Sequence, residues 1–514
     1  MGTWLFFFLA ISLFVSLVIL QGRKSEKRKL PPGPPALPLI GNPLWLFRSY
    51  NSLEPAIRQA WAKYGPIVTL RMGPQPAIFI SDRALAHEAL IQKGAIFANR
   101  PWLATSKDSP FANSQQYTVV GGSYGPTWRL LRRNLTSEIL NPSTIKSYSP
   151  HRDWMLKILI ETIESESQSG EHTVNIRQCF YHSLFRLLLL MCFGQKLDEK
   201  HAKEIGYTQN RLLVHLDKNI IFSIFPVIGK FLFRKNWDEV VKLRQKQAEL
   251  FLRLVRARKE KGKKNHSDEN SISHCYVDSL LALELPEEGD RNLSESEIIN
   301  LCSEFLDAGT DTTSSALQWV MANVVKYPEV QEKIVQEIGR VLAEGTEEKD
   351  PKIIGEEELQ KMKYLRAVVH EALRRHPPAH FVLPHCATKR AEINGYDIPT
   401  NAMINFAVLE MGLDEKMWED PLKFKPERFL HKEELDFTGS EQIKIMPFGV
   451  GRRICPGLAL AMLHLQFTVA NLVREFEWKT KEGEEVDLSG KGEFTTSMKN
   501  PLKAVIVPRR KKMK

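Results

Sequence analysis

The chain has 514 residues, of which 43% are hydrophobic and 26% charged, a mixture typical of a globular protein with ample material for a core. Its net charge of +10 resides almost wholly in two short runs, at residues 23–29 and 509–514. The body between these runs is close to neutral, which excludes a nucleic-acid-binding protein built around a basic stripe. The six cysteines form no CxxC pair, so their pattern favours neither a disulfide framework nor a zinc site.

The first predicted element is a membrane anchor. Residues 4–20 carry no charge, and this length is at the lower limit of a bilayer-spanning helix. A secretory signal peptide is the alternative, but its basic start and small-residue cleavage site are missing. The basic run at residues 23–29 then places the body in the cytosol by the positive-inside rule. We therefore predict an anchor at residues 1–22, a hinge at residues 23–38 and one large domain at residues 39–514.

The predicted hinge continues into a proline-rich stretch. Residues 30–42 contain five prolines, which exclude a helix and favour a stiff, extended conformation. Two interpretations are open for this stretch. It is either a disordered linker or a spacer that sets how the body sits on the membrane.

Most long patterns beyond the hinge are helical, although residues 71–82 predict short strands and a turn. The longest predicted helix begins at a capping box of Ser294 and Glu297 and ends before Pro328. Apolar residues recur between these points at helical spacing, so we expect about 33 residues and a length of roughly 50 Å. Residues 219–233 are unusually apolar; we interpret them as core or channel wall, with a membrane-dipping patch as the alternative.

The most confined cysteine is Cys455, in the stretch PFGVGRRICPG. Two glycines before it let the backbone turn tightly, and Gly457 lets a flat ligand approach closely. An apolar helix is predicted to follow, so the thiol sits at a helix N-terminus, where N–H groups and the dipole stabilise a thiolate. A single thiolate suits an axial ligand of haem, and a buried structural cysteine is the alternative.

Phe448, Gly451, Arg453, Cys455 and Gly457 resemble the haem-binding signature of the cytochrome P450 family. Three further stretches agree with that family in order and spacing: Glu371-Ala372-Leu373-Arg374, Pro426-Glu427-Arg428-Phe429 and Ala308-Gly309-Thr310-Asp311-Thr312-Thr313. The resemblance covers nearly the whole chain and is greatest to the plant endoplasmic-reticulum type. It implies a mainly α fold, a helical haem-thiolate domain with small β-sheets, together with one N-terminal transmembrane helix.

The resemblance implies roles for several of these residues. Cys455 is expected to bind the iron of haem b, with Phe448 shielding the sulfur. Glu371, Arg374 and Arg428 are expected to form a buried structural triad that holds the cysteine loop. Glu371 and Arg374 lie one helical turn apart and can pair on one face; a solvated surface pair is the alternative.

The carboxylates of haem require hydrogen-bond donors. Trp128 and Arg132 lie four residues apart in a predicted helix, and an indole N–H and a guanidinium suit a buried carboxylate. The family uses His or Arg at the position of His385, and Arg453 is expected to join these donors. For His385, an ordinary buried core histidine is the alternative.

In the long helix, the resemblance implies that Asp311 supplies protons and that Thr312 positions them. Ala308 and Gly309 are expected to let the helix open locally beside the iron. An ordinary Thr-rich helical turn is the alternative. Substrate contacts are implied for six apolar residues: Phe111, Phe222, Ala308, Phe381, Val382 and Phe494.

The resemblance implies a monooxygenase that inserts one atom of O₂ into an apolar small molecule, which we expect to be a plant specialised metabolite. NADPH-cytochrome P450 reductase is the expected electron donor, and cytochrome b5 is a further candidate partner. The protein is expected at the endoplasmic reticulum membrane, in contact with lipid, with its catalytic domain facing the cytosol. A docking patch for the donor is implied at four residues: Arg129, Arg133, Lys444 and Arg452.

Two alternative functions are open. One is a P450-fold enzyme that rearranges or dehydrates peroxides without a reductase. The other is a membrane-tethered haem or ligand-binding protein without enzymatic activity. The intact Asp311-Thr312 pair argues against both, because neither requires proton delivery to oxygen.

Overall fold

The computed structural model describes residues 29–36, 41–42, 53–72, 75–101, 117–167, 173–218, 222, 226–261, 272–345, 353–400, 402–430, 435–492 and 495–509. The predicted anchor lies outside these ranges, as do Phe111 and Phe494. Within the described ranges, no helix is long and apolar enough to cross a membrane.

Helices make up most of the described chain. In chain order they are α1 (Glu54–Tyr64), α2 (Arg83–His87), α3 (Gly94–Phe97), α4 (Pro126–Asn134), α5 (Pro142–Ser147), α6 (Ser149–Ser167), α7 (Ile176–Phe193), α8 (Glu199–Lys218), α9 (Pro226–Leu232), α10 (Arg234–Lys261), α11 (Tyr276–Leu281), α12 (Glu295–Lys326), α13 (Pro328–Gly345), α14 (Glu356–Lys361), α15 (Lys363–Arg375), α16 (Val408–Gly412) and α17 (Leu458–Glu475). The π-helical turns Glu88–Gln92 and Leu135–Ile139 continue α2 and α4.

The strands are short and form small sheets, as expected for a mainly α fold. They are β1 (Ile67–Met72), β2 (Gln75–Ile80), β3 (Val174–Asn175), β4 (Glu284–Leu285), β5 (Arg291–Asn292), β6 (Ala391–Ile393), β7 (Tyr396–Ile398), β8 (Met403–Phe406), β9 (Phe476–Lys479), β10 (Gly490–Gly492), β11 (Thr496–Met498) and β12 (Lys503–Pro508). Two sheets have three strands, in the orders β1-β2-β8 and β3-β12-β9. The antiparallel pair β1-β2 confirms the short strands predicted at residues 71–82, and the predicted turn at residues 73–74 lies outside the described residues.

Helix α12 is the central element. The Ser294 side chain accepts from the N–H of Glu297 and the Glu297 carboxylate caps Ser294, so the predicted capping box is confirmed. The helix has 32 residues, a length of about 48 Å, and ends at Lys326, two residues before Pro328. Its buried face packs against α7, α15 and α17 in the main hydrophobic cluster. A rod of this length therefore runs through the core and can present side chains to its centre.

The described part of the hinge lies against the first sheet. The N–H of Thr69 donates to the carbonyl of Pro32 at 2.8 Å. A Cβ at Gly33 would lie 1.8 Å from the carbonyl oxygen of Thr69, so only glycine permits this approach. These contacts favour the spacer interpretation over a disordered linker for residues 29–36.

The apolar segment at residues 219–233 divides into two environments. Phe222 is fully buried, and its ring lies 5.2 Å from that of Trp237 in an edge-to-face contact. On α9, Val227 and Phe231 are instead 74% and 84% exposed. Phe222 thus packs against Trp237 and stays a predicted pocket residue, while α9 leaves an apolar surface uncovered.

Candidate active site

The loop before Cys455 is shaped by its glycines. Gly449 and Gly451 have φ of +66° and +71°, in the left-handed region that favours glycine. A Cβ at Gly451 would also lie 2.2 Å from the carbonyl oxygen of Leu90. The N–H of Cys455 donates to the carbonyl of Phe448 at 2.9 Å and closes the turn. The predicted tight turns therefore exist, and Gly451 is additionally required for contact with another segment.

The thiol of Cys455 lies just before α17, whose N-cap is Gly457. Cys455 is partly exposed, whereas the other five cysteines are buried. Burial raises the pKa of the Cys455 thiol, while the Gly457 N–H and the charge of Arg132 act in the opposite direction. The N–H at the helix terminus thus acts in the predicted direction, toward the thiolate, and burial opposes it. A bound metal ion supplies the charge that deprotonates such a ligand.

Helix α4 brings two of the predicted donors to this loop. The indole N–H of Trp128 donates to the carbonyl of Val119 at 2.9 Å. Arg132 donates to the carbonyl of Ile454, the neighbour of Cys455, at 2.6 Å. The four-residue spacing places both side chains on one face, with the guanidinium 5.6 Å from the centre of the indole ring.

Arg453 points inward from the cysteine loop and is 8% exposed. It donates to the carbonyls of Ala98, at 2.7 Å, and Gly122, at 2.6 Å. Burial, followed by repulsion from Arg100 and Arg132, lowers its pKa to about 9. These groups form a cluster of like charges.

Arg100 was not identified by the sequence analysis. It donates to the carbonyls of Val120, Leu383 and Pro384 at 2.9–3.0 Å. Burial lowers its pKa to about 10. The signal that could have located it is weak, because one arginine before a proline has no distinctive spacing.

His385 uses one ring nitrogen for a backbone contact. Its Nδ1 lies 2.7 Å from the carbonyl of Phe97, so Nδ1 carries a proton and Nε2 is left for another partner. Burial, with repulsion from Arg100, lowers the pKa of the ring well below its ordinary value. The contact of His385 with a haem carboxylate stays a prediction, and Arg100 is a further candidate donor on this side.

This cluster fits a ligand with buried carboxylates. Among the described residues, no ion pair within 4 Å includes Arg100, Arg132 or Arg453. Buried cations are costly unless an anion compensates them. The two carboxylates of haem would supply that charge beside the thiol of Cys455. The residues present therefore fit haem.

The predicted structural triad lies at the C-terminal end of α15. Arg374 bonds both carboxylate oxygens of Glu371, at 2.7 and 2.8 Å, and both side chains are 0% exposed. Arg428 approaches the same carboxylate at 3.3 Å. Arg374 also donates to the carbonyls of Gly412 and Pro421, at 2.6 and 2.9 Å. The triad thus ties α15 to the segment that precedes the cysteine loop.

The middle of α12 carries a strip of accessible residues on an otherwise buried helix. Ala308 is exposed and Thr312, one turn later, is half-buried. The Thr312 hydroxyl donates to the carbonyl of Ala308 at 2.6 Å. The expected local opening is absent from α12, which is continuous across these residues. Gly309 has a packing role instead, since a Cβ there would lie 2.7 Å from a methyl group of Leu188.

Asp311 faces another side of α12 from Thr312, because successive residues differ by 100° around a helix. Its carboxylate pairs with Arg177 at 3.3 Å and accepts from the hydroxyl of Thr495 at 2.6 Å. The Arg177 side chain is 27% exposed. The predicted proton source is thus connected toward the surface of the protein, and α12 is tied to the C-terminal hairpin.

The remaining predicted pocket residues differ in environment. Phe381 is buried against Phe79, with ring centroids 5.7 Å apart, and belongs to the core. Its contact with substrate stays a prediction. Val382 is half-buried, and a Cβ on Gly449 would lie 3.7 Å from it, so Val382 adjoins the cysteine loop.

The domain is mainly helical, and glycines shape the turns of its cysteine loop. The guanidinium groups beside that loop have no ion pair among the described residues. Together these features define a haem-thiolate protein. A family model described as Cytochrome P450 matches residues 31–506, and the chain belongs to the cytochrome P450 family. It is accordingly a haem-thiolate monooxygenase that draws on NADPH-derived electrons.

Three similar proteins are from plants. The chain is 47% identical over 514 residues to cytochrome P450 89A9 of Arabidopsis thaliana, covering 98% of each chain. It is 32% identical over 512 residues to isoflavone 3'-hydroxylase of Medicago truncatula, covering 97% of this chain and 96% of that protein. It is 31% identical over 512 residues to geraniol 8-hydroxylase of Catharanthus roseus, covering 96% of this chain and 97% of that protein.

Proposed function

We propose that Cys455 is the axial ligand of haem b and that Arg100, Arg132 and Arg453 bind its carboxylates. Trp128 and His385, each of which donates to a backbone carbonyl in this structure, are proposed as further contacts of the same carboxylates. The observation that carries this assignment is the position of Cys455, a partly exposed thiol whose loop is contacted by guanidinium groups without ionic partners among the described residues. The triad of Glu371, Arg374 and Arg428 is proposed to have a structural role only. It holds the segment that precedes the cysteine loop.

Haem with a thiolate ligand supplies the electron density that favours cleavage of the O–O bond. The residues of α12 then supply protons. Thr312 can donate one hydrogen bond and accept another, so its hydroxyl can hold a water molecule near Ala308. Asp311 exchanges protons with the surface beside Arg177. Together they allow one oxygen atom to enter the substrate while the other leaves as water.

Electrons are proposed to arrive from NADPH-cytochrome P450 reductase at a basic patch defined by Arg129, Arg133, Arg452 and Lys444. Arg129 and Arg452 both lie 5.7 Å from the ring centroid of Tyr124, so they share one surface. Arg129, Arg133 and Arg452 are exposed. Adjacent Arg132 contacts the cysteine loop, which supports a docking patch for an acidic donor on the thiolate side. Cytochrome b5 is a second candidate for the same surface.

The substrate is proposed to be an apolar small molecule of plant specialised metabolism. Ala308 and Val382 are the apolar residues that adjoin the site. Two relatives are named as hydroxylases of geraniol and of an isoflavone, which favours hydroxylation as the net reaction. The protein is proposed to act at the endoplasmic reticulum membrane, with residues 1–22 as anchor, residues 23–38 as hinge and residues 39–514 as the cytosolic catalytic domain.

The assignment of Cys455 is tested by the absorbance of the reduced, carbon-monoxide-bound protein. We expect the long-wavelength Soret band of thiolate-bound haem in the unmodified protein and its loss in Cys455→Ser. Cys302→Ser is the matched control, because Cys302 is a buried thiol on α12. Retention of the band in Cys455→Ser, with loss in Cys302→Ser, would show that the ligand is misassigned.

A further inference from the structure

Glu304 is an acidic residue on α12 that the proposed chemistry does not use. It lies one turn before Ala308 and two turns before Thr312, on the same side of the helix. Its two carboxylate oxygens accept from the backbone N–H groups of Val119, at 2.7 Å, and Val120, at 3.0 Å. Each oxygen therefore already has a partner, and both partners belong to one loop.

The carbonyl groups of that loop, residues 118–122, accept hydrogen bonds from other side chains. The Val119 carbonyl accepts hydrogen bonds from Trp128 and Arg453, at 2.9 and 3.2 Å. The Gly122 carbonyl accepts from Arg453 at 2.6 Å, and the Val120 carbonyl accepts from Arg100 at 3.0 Å. The three donors come from three separate segments of the chain. These donors are the ones assigned to the haem carboxylates. The 118–122 loop thus lies between Glu304 on one side and the carboxylate donors on the other.

The charge on Glu304 strengthens this contact. Hydrogen bonds to an ionised acceptor contribute more than bonds between neutral groups, and are shorter. Burial raises the pKa of Glu304 to about 7, while the two backbone N–H groups and Arg453 act to lower it. At pH 8 the carboxylate is therefore mostly ionised and accepts both bonds.

We propose that Glu304 is a positioning residue that holds the 118–122 loop against α12 and thereby sets Trp128, Arg100 and Arg453 for the carboxylates of haem. This inference rests on the proposed haem site. It assigns Glu304 to cofactor retention.

The test is the rate at which haem leaves the purified holoenzyme at pH 8, measured by transfer to an excess of apomyoglobin. Glu304→Gln keeps the size of the side chain but loses the charge and one acceptor oxygen. We expect haem loss about tenfold faster, the effect of weakening one charge-assisted bond. Glu304→Asp keeps the charge, and its rate should lie between the other two.

Glu337→Gln is the matched control. Glu337 accepts from the backbone N–H groups of Tyr364 and Leu365, at 2.7 and 2.8 Å, in the same two-amide arrangement. It contacts no residue of the 118–122 loop in the described hydrogen bonds. We expect Glu337→Gln to lower thermal stability without a comparable rise in haem loss.

A second measurement separates positioning from general loosening of the fold. The same variants are loaded with haem dimethyl ester, which has no carboxylates. If Glu304 acts through the donors, the difference between the unmodified protein and Glu304→Gln should nearly disappear with the ester. Equal acceleration with both haems, or equal acceleration in Glu337→Gln, would overturn the proposal.

Failure of the haem site itself has a different signature. If the unmodified protein showed no thiolate-haem band, both the proposed haem site and the proposed role of Glu304 would be wrong. If that band were normal and Glu304→Gln lost haem at the unmodified rate, only the role of Glu304 would fail.

Discussion

The guanidinium of Arg453 stacks on the indole of Trp128, 4.0 Å from its ring centroid. Both side chains donate to the carbonyl of Val119, at 3.2 and 2.9 Å. Because Arg453 lies two residues before Cys455, this stack joins α4 directly to the cysteine loop. The cation–π contact and the shared Val119 carbonyl together fix the positions of the Arg453 and Trp128 side chains.

Removing the Arg453 charge should weaken haem binding. We expect Arg453→Gln to retain haem about tenfold less tightly, because one charge-assisted bond to a carboxylate is lost. Arg453→Lys should recover only part of this, since an ammonium lacks the planar fork. The measurement is haem content per protein after dialysis. Arg452→Gln, at an exposed neighbour, is the control and should keep full haem content.

Thr312 should govern how NADPH electrons are used. In Thr312→Ala the hydroxyl is lost with little change in volume, so haem content should persist while product per NADPH falls about tenfold and hydrogen peroxide rises. Thr312→Ser restores a hydroxyl and should restore coupling. Asp311→Asn should slow NADPH use itself. Product, peroxide and NADPH are measured together with reductase and a substrate; unchanged coupling in Thr312→Ala would assign this turn to packing.

The Glu371–Arg374 pair should be essential for folding. Glu371→Gln leaves the fully buried Arg374 without its ionic partner, which should cost about 3–5 kcal/mol. Glu295→Gln breaks the pair between Glu295 and Arg256, whose side chains are 51% and 60% exposed, and should cost far less, because solvent screens exposed charges. Chemical denaturation measures both. Similar losses in the two variants would mean that burial does not strengthen the triad.

Gly451→Ala should disrupt the cysteine loop. The added Cβ would meet the Leu90 carbonyl at 2.2 Å, and the backbone has φ of +71°. Gly483→Ala is the matched control, with φ of +79° but no atom within 4 Å of the added Cβ. The control should cost only the backbone strain, about 1 kcal/mol. We expect haem incorporation to fall in Gly451→Ala alone; an equal fall in both would show that strain, and not the contact with Leu90, decides.

The exposed apolar surface of α9 should contact lipid. Phe231 is 84% exposed, and burying such a ring is worth about 1.5–3 kcal/mol. In a chain without residues 1–22, Phe231→Glu should reduce binding to phosphatidylcholine vesicles about tenfold in flotation assays. Phe233→Glu, at 42% exposure, should have a smaller effect. Equal binding of all three proteins would leave α9 without a role at the membrane.

Local patterns accounted for much of the fold. The capping box at Ser294 and Glu297, the ending of α12 before Pro328 and the strands around residues 71–82 depend on contacts within a few residues. The cysteine loop belongs to the same class, because tight turns before Cys455 require glycine wherever they occur. The neighbour that makes Gly451 indispensable, Leu90, could not be deduced from the loop.

The sequence by itself determined that Cys455 has the surroundings of a haem ligand and that Glu371 and Arg374 share a helical face, because both depend on short spacings. Tertiary structure alone decided which donors converge on one site. Arg100 lies beside Arg453, the Nδ1 of His385 donates to the carbonyl of Phe97, and the ring of Phe222 packs against Trp237. These outcomes depend on burial and on partners distant in the chain, which no local pattern encodes.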